Sequence, residues 1–227
     1  MLVTRPDPGA QETAQRLIAL GHRPLLAPVL TIVPRPFAVA GRPQAVLVTS
    51  GNALAALPGA LRDLPLLAVG DATAARARAA GFAIVHSAGR DAAALAALVA
   101  RLCRPADGAL LLPSGAGQGG ALAATLRAGG FRVQRRTAYA AVAVACLPEV
   151  ASTSLDNGGV SAALFFSAET ARVFVTLLRR ARPDATVRNV AALALSAGTA
   201  RALAPLPWRV IRVASHPTQD ELLSLLP

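Results

Sequence analysis

The chain says the same thing twice. Thr4-Arg5-Pro6, a helical stretch and Ala19-Leu20-Gly21-His22-Arg23 return as Pro113-Ser114-Gly115, a helical stretch and Ala128-Gly129-Gly130-Phe131-Arg132. Leu47-Val48-Thr49-Ser50-Gly51 returns as Phe165-Phe166-Ser167-Ala168. Ala68-Val69-Gly70-Asp71-Ala72-Thr73-Ala74 returns as Ala194-Leu195-Ser196-Ala197-Gly198-Thr199-Ala200. The copies keep their order along the chain. A duplicated unit predicts two similar lobes, and two lobes predict a cleft. Each block closes an apolar run on Ser, Thr or Gly and then opens a helical pattern, so six strand-to-helix junctions are expected to line that cleft.

Apolar runs alternate with Ala-rich amphipathic stretches throughout. Strands are expected near 2–4, 24–33, 45–49, 66–69, 83–86, 109–113, 131–142, 161–166, 190–195 and 209–214. Helices are expected near 9–20, 71–80, 91–103, 117–128, 168–182, 198–204 and 218–226. Gly21, Gly81 and Gly129-Gly130 stand just past helix ends, where a left-handed residue is wanted. This rhythm predicts an α/β fold with parallel sheets covered by helices, which binds ligands beyond the carboxyl ends of its strands. Two extended, proline-marked segments near 33–37 and 141–148 read as crossings between lobes. They predict a discontinuous first lobe, 1–35 plus 143–227, and a continuous second lobe, 36–142.

Composition narrows the chemistry. The net charge is +11, from 23 basic and 12 acidic residues, and every basic residue is arginine. With no lysine there is no Schiff-base amine, no pyridoxal phosphate anchor and no P-loop lysine. The excess positive charge calls for an anionic partner, a small polyacid or a nucleic acid. Nucleic acid is disfavoured: aromatics are few and the arginines are spread over the helices rather than striped. Cys103 and Cys146 have no metal or redox spacing, and the three histidines lie far apart, so no metal is expected. No apolar run is long enough to span a bilayer and no leader pattern opens the sequence, so a cytoplasmic protein with no membrane partner is expected. A monomer is the expectation for the assembly.

The six turns are Thr4-Arg5-Pro6, Thr49-Ser50-Gly51-Asn52, Gly70-Asp71-Ala72-Thr73, Ser114-Gly115-Ala116-Gly117, Ser167-Ala168-Glu169-Thr170 and Ser196-Ala197-Gly198-Thr199. Ser, Thr and Gly are ordinary helix caps, but six such turns in register across two lobes point to carboxylate or phosphate binding. The candidate binding residues are therefore Arg5, Thr49, Ser50, Gly51, Asn52, Gly70, Thr73, Ser114, Gly115, Ser167, Ala168, Ser196 and Thr199. Gly115 to Gly120 also fits the dinucleotide pattern GxGxxG. The acidic residue that reading needs about 20 positions later is missing, and a glycine turn over an anion is preferred. Tyr139, the sole tyrosine, ends an extended run that begins Arg135-Arg136. It is either a strand tyrosine with a wet tip or a group facing the cleft. Trp208 reads as core. No serine sits in a nucleophile-elbow sequence.

Taken together, these junctions resemble uroporphyrinogen-III synthase. The resemblance rests on Val3-Thr4-Arg5-Pro6, Leu20-Gly21-His22 with Pro28-Val29-Leu30, Val48-Thr49-Ser50-Gly51-Asn52-Ala53 and Ala68 to Ala74. It continues through Ala138-Tyr139, Phe165-Phe166-Ser167-Ala168, Thr199-Ala200 and Ser215-His216-Pro217-Thr218. It implies two flavodoxin-like lobes on a two-stranded linker. It implies a cofactor-independent lyase that closes the linear tetrapyrrole hydroxymethylbilane to uroporphyrinogen III, with loss of water and inversion of ring D through a spirocyclic intermediate. It implies that Tyr139 assists departure of the hydroxyl, and that Thr73, Ser167 and Thr199 contact substrate. The family's late Gly-Pro-Thr-Thr turn reads Ser196-Ala197-Gly198-Thr199 here, and Gly51 and Ala168 replace prolines often found after the two serines. The competing reading is a two-lobed binding protein for a small polyanion, with no chemistry.

Overall fold

The computed structural model describes residues 1–181 and 187–226, so the last residue of the helix expected at 168–182 lies outside the described residues. The chain divides into two compact units, Met1–Thr31 with Val142–Pro227, and Ile32–Ala141. The fold is mixed α/β with a parallel sheet in each unit.

In the first unit the strands are β1 (Leu2–Val3), β2 (Leu25–Leu26), β9 (Ala162–Phe165), β10 (Ala191–Ala194) and β11 (Val210–Val213). They lie in the order β11-β10-β9-β1-β2, all neighbours parallel. The second unit carries β4 (Ala45–Val48), β5 (Leu66–Ala68), β6 (Val85–Ser87), β7 (Leu110–Gly115) and β8 (Val133–Ala143). With β3 (Leu30–Pro34) at one edge, their order is β3-β8-β7-β4-β5-β6. β3 and β8 are the two strands that span the division between the units.

Laid over each other, the two orders coincide when β1 is matched to β7, β2 to β8, β9 to β4, β10 to β5 and β11 to β6. The matched strands carry the repeated sequence blocks: Arg5 matches Ser114, Ser50 matches Ser167, and Gly70 matches Ser196. The duplication is thus visible in topology, with the second unit entered at its third strand.

Central strands such as Ala-Val-Leu-Val in β4 and Ala-Ala-Leu-Phe in β9 are buried on both faces, which is why they read as continuous apolar runs. Edge strand β11, Val-Ile-Arg-Val, is largely open to solvent, with only Ile211 partly buried. Helix α1 (Gly9–Ala19) buries Ala10, Thr13, Ala14 and Leu17, one face of a 3.6-residue period. It stops at Gly21, φ 80°, where the His22 N–H donates to Leu17 O at 2.8 Å. The same closure ends α2 (Asp71–Ala79) at Gly81 and α4 (Gly120–Ala128) at Gly130, with Phe82 and Phe131 as the returning donors.

Two sequence expectations change. The run 24–33 is two strands, because Ala27-Pro28-Val29 interrupts it and Pro28 has no N–H to give a ladder. A helix that the pattern did not signal, α5 (Glu149–Asp156), sits between Pro148 and Gly158, φ 68°. Its Ser-Thr-Ser-Leu-Asp stretch has the composition of a loop; of its own residues only Ala151 is fully buried.

Cys103 follows α3 (Ala92–Leu102) and is buried, whereas Cys146 is exposed. Burial, and then the Asp107 charge, push the Cys103 thiol above its ordinary value. The thiolate is the reactive form, so Cys103 is held as the unreactive thiol at neutral pH. Maleimide should therefore modify Cys146 promptly and Cys103 only after unfolding. Equal labelling rates in a peptide-resolved mass spectrum would contradict this.

Candidate active site

In the first unit, three strand ends carry the predicted residues. Thr4 is wholly buried, and its hydroxyl donates to Leu164 O at 2.6 Å, tying β1 to β9. Beside it, the Arg5 guanidinium lies 4.2 Å from the centre of the Phe166 ring. It donates to Gln219 Oε1 at 3.1 Å and to Thr13 Oγ1 at 3.3 Å. A Cβ on Gly9 would overlap that guanidinium, so glycine opens α1 because arginine occupies the space.

Ser167 caps α6 (Ala168–Ala181): its hydroxyl accepts from the Thr170 N–H at 3.1 Å and pairs with the Thr170 hydroxyl at 2.9 Å. Ser196 does the same for α7 (Ala197–Leu203), at 3.3 Å from the Thr199 N–H and 3.0 Å from its hydroxyl. The two turns are one device used twice, Ser-x-x-Thr, with the threonine buried as a brace. Thr199 is 1% exposed, so what it offers outward is the shape of the turn rather than its hydroxyl. Ser196 is exposed, and Ser167 and Ala168 are half-buried.

In the second unit, Thr49 and Ser50 follow β4, and Ser50 Oγ accepts from the Asn52 N–H at 3.3 Å. Gly51 is buried, and a Cβ there would overlap the Arg76 guanidinium. This repeats the Arg5–Gly9 arrangement: small backbone, arginine laid over it. Gly70 caps α2 through backbone alone, with Asp71 in the first turn and Thr73 half-buried.

Only three of the six junctions are immediate α-helix N-termini: those at Gly70, Ser167 and Ser196. The turn after β4 leads into a 3-10 helix, Gly51–Ala56. After β1 the prolines at 6 and 8 delay α1 to Gly9, and after β7 the glycines delay α4 to Gly120. A proline lacks the donor and a glycine favours freer turns, so these two junctions are loops with open backbone.

The loop after β7 holds the tyrosine. Tyr139 on β8 is 5% exposed, and its hydroxyl donates to Gln118 Oε1 at 3.1 Å. The β7–β8 register slips between Ser114 and Gly115, which sets Gly115 opposite Tyr139. A Cβ on Gly115 would lie 2.9 Å from Tyr139 Cζ and 2.8 Å from Gln118 Oε1. The first glycine of the GxGxxG pattern therefore makes room for the tyrosine and glutamine. That use of the glycine favours the turn reading over the dinucleotide one. Ser114, 2% exposed, donates to Gln118 O at 3.1 Å, and Arg135 Nη1 donates to the same oxygen at 2.8 Å. The glycine motif hides Gln118 in sequence, yet it is the one long side chain in the turn, and that length is its signal.

Among the described residues no cluster of three or more His, Cys, Asp or Glu could hold a metal ion, and no helix is long and apolar enough to cross a membrane. No curated protein matches the chain. Its fold is similar to that of a uroporphyrinogen-III synthetase from Helicobacter pylori, with a TM-score of 0.64 and 17% identity over 99% of this chain and 96% of that one. It is also similar to a mutant uroporphyrinogen III synthase from Thermus thermophilus, with a TM-score of 0.50 and 21% identity over 99% and 95%. The family model described as uroporphyrinogen-III synthase HemD matches residues 11–224, nearly the whole length, and the chain belongs to that family.

Proposed function

We propose that the chain holds hydroxymethylbilane by its carboxylates at the strand-end turns of both units and uses Tyr139 to help the substrate hydroxyl depart. The reaction is that of the family: a lyase closes the linear tetrapyrrole to uroporphyrinogen III, with loss of water and inversion of ring D, and no cofactor takes part.

The observation that carries the site assignment is the match between the two sets of turns. Arg5, Ser167, Ala168, Ser196 and Thr199 in one unit correspond in kind to Thr49, Ser50, Gly51, Asn52, Gly70, Thr73, Ser114 and Gly115 in the other. Backbone N–H groups in the first turn of a helix have no partner inside the helix and favour carboxylates. The buried hydroxyls of Ser114 and Thr199 fix the turns; the backbone and the arginines meet the charge. A substrate with eight carboxylates gives the +11 protein an anion to bind. Much of the catalysis is geometric, since holding a flexible chain with its reacting ends together can supply roughly 7–11 kcal/mol.

The finer architecture is part of the same reading. Each unit is flavodoxin-like, because strand order 2-1-3-4-5 describes the first and, counted from β7, the second. The lobes are 1–35 plus 143–227 and 36–142, on a two-stranded linker near 33–37 and 141–148. The protein works as a monomer in the cytoplasm, where two unpaired cysteines are at home.

The test is to supply hydroxymethylbilane and identify the macrocycle. Unaided closure gives the symmetrical isomer, so the inverted isomer supports the reading and the symmetrical one alone refutes it. A binding protein without chemistry would leave the unaided product ratio unchanged. Because charge attracts the substrate, KM should rise several-fold between about 0.01 M and about 1 M salt, over which screening shortens from about 30 to about 3 Å. A flat salt response would remove the charge account.

A further inference from the structure

We propose that Gln118 is a positioning residue for Tyr139: its carboxamide oxygen holds the phenol, and its amide N–H, turned to the same place, holds the phenolate formed during the reaction. This rests on the reading of Tyr139 given above.

The geometry separates what fixes Gln118 from what Gln118 fixes. Its backbone is anchored three times. The Gln118 N–H donates to Gly115 O at 2.9 Å, and its carbonyl accepts from Ser114 Oγ and from Arg135 Nη1. Gly119, φ 79°, closes the turn against Ser114. The side chain is thereby left to one task, the hydrogen bond from the Tyr139 hydroxyl. Gln118 is exposed while Tyr139 is buried, so the carboxamide stands between the phenol and solvent.

A carboxamide carries an acceptor and a donor on the same carbon, exchanged by rotation about the last bond. That property suits a group that gives up a proton and takes it back. In the forward step the bond from the substrate's hydroxymethyl carbon to oxygen breaks. The oxygen leaves with the bonding pair, takes the phenol proton and departs as water. Tyr139 is left as phenolate, which the Gln118 N–H can donate to. The proton lost from the substrate ring carbon at closure returns to the phenolate. The balance is one water released and Tyr139 restored. Arg135, bound to the Gln118 carbonyl, places positive charge on the same turn.

Gln118→Leu removes both donor and acceptor; Gln118→Glu keeps an acceptor, loses the donor and adds charge. Position 118 is exposed, and circular dichroism will show both variants folded. Both should lower kcat at least about five-fold with KM within about two-fold, a modest share of a general acid's usual contribution. In a Tyr139→Phe background, Gln118→Leu should cost little further, because the two act as one unit. Fully additive losses in the double variant overturn the proposal. So does wild-type kcat in both Gln118 variants while Tyr139→Phe is slow, and that result leaves the reading of Tyr139 standing. An unchanged kcat in Tyr139→Phe overturns both.

Discussion

Phe165→Ala is expected to destabilise the first unit by about 3–5 kcal/mol, the usual range for truncating a buried aromatic. Phe165 ends β9 with no exposure and sits at the centre of an aromatic cluster. Its ring meets Phe174 of α6 edge-on at 5.2 Å and Trp208 edge-on at 5.6 Å, while Phe174 and Trp208 stack at 5.9 Å. Trp208 is locked in turn by its indole N–H, which donates to Leu203 O at 2.9 Å. Removing the ring opens a cavity against α6 and the Trp208 ring, and the collapse available to β9 is small because both its faces are packed. A loss of this size is a large fraction of the roughly 5–15 kcal/mol that holds a domain folded. Trp208 is the sole tryptophan, so its fluorescence reports this unit directly in denaturant. Phe165→Leu, which keeps most of the volume, should cost about 1.5 kcal/mol or less. A cost near zero for Phe165→Ala would mean that the cluster is not the core of this unit. The turn with Ser167 lies two residues on, so activity should fall with the fold.

The duplication made the fold legible. Parallel central strands have to be buried on both faces, and that leaves unbroken apolar runs such as Leu110-Leu111-Leu112 and Ala191-Ala192-Leu193, which periodicity finds readily. Helix ends were equally plain, because Gly21, Gly81 and Gly130 occupy left-handed positions that other residues avoid. What stayed hidden was decided by tertiary packing. α5 owes its existence to burial of Ala151 with Val144, Leu147 and Leu155 in the first unit's core, not to helical patterning. The helix expected from 117 opens only at Gly120, since sequence shows the glycines at a junction but not how far the chain runs before it coils. In the site, residue types were visible and their directions were not. The hydroxyls of Thr4, Ser114 and Thr199 point inward and brace the turns, while Gln118 and Phe166, which touch Tyr139 and Arg5, carried no spacing that would single them out.

Tyr139→Phe is expected to lower kcat ten-fold or more, a barrier increase of about 1.4 kcal/mol or greater. The substitution removes one oxygen and keeps the ring, whose packing in the second unit's core beside Val46, Val48, Ala68 and Ala138 is unchanged. The hydrogen bond to Gln118 is lost, but Gln118 is exposed and water can replace the phenol, so stability should fall by no more than about 1 kcal/mol. That separation is what makes the experiment informative: a fold that barely responds and a reaction that does. Had the hydroxyl been buried against an unreachable partner, the same change would have mixed the two effects. KM should move little, because the carboxylates that anchor the substrate are met by turns and arginines rather than by the phenol. Partition of product between the inverted and symmetrical macrocycles provides the second readout. As the enzymatic rate falls towards that of the unaided reaction, the symmetrical isomer should rise in the variant's product mixture. Turnover and product ratio both equal to the wild type in a folded Tyr139→Phe protein would remove the hydroxyl from the reaction and leave geometry as the whole of the catalysis.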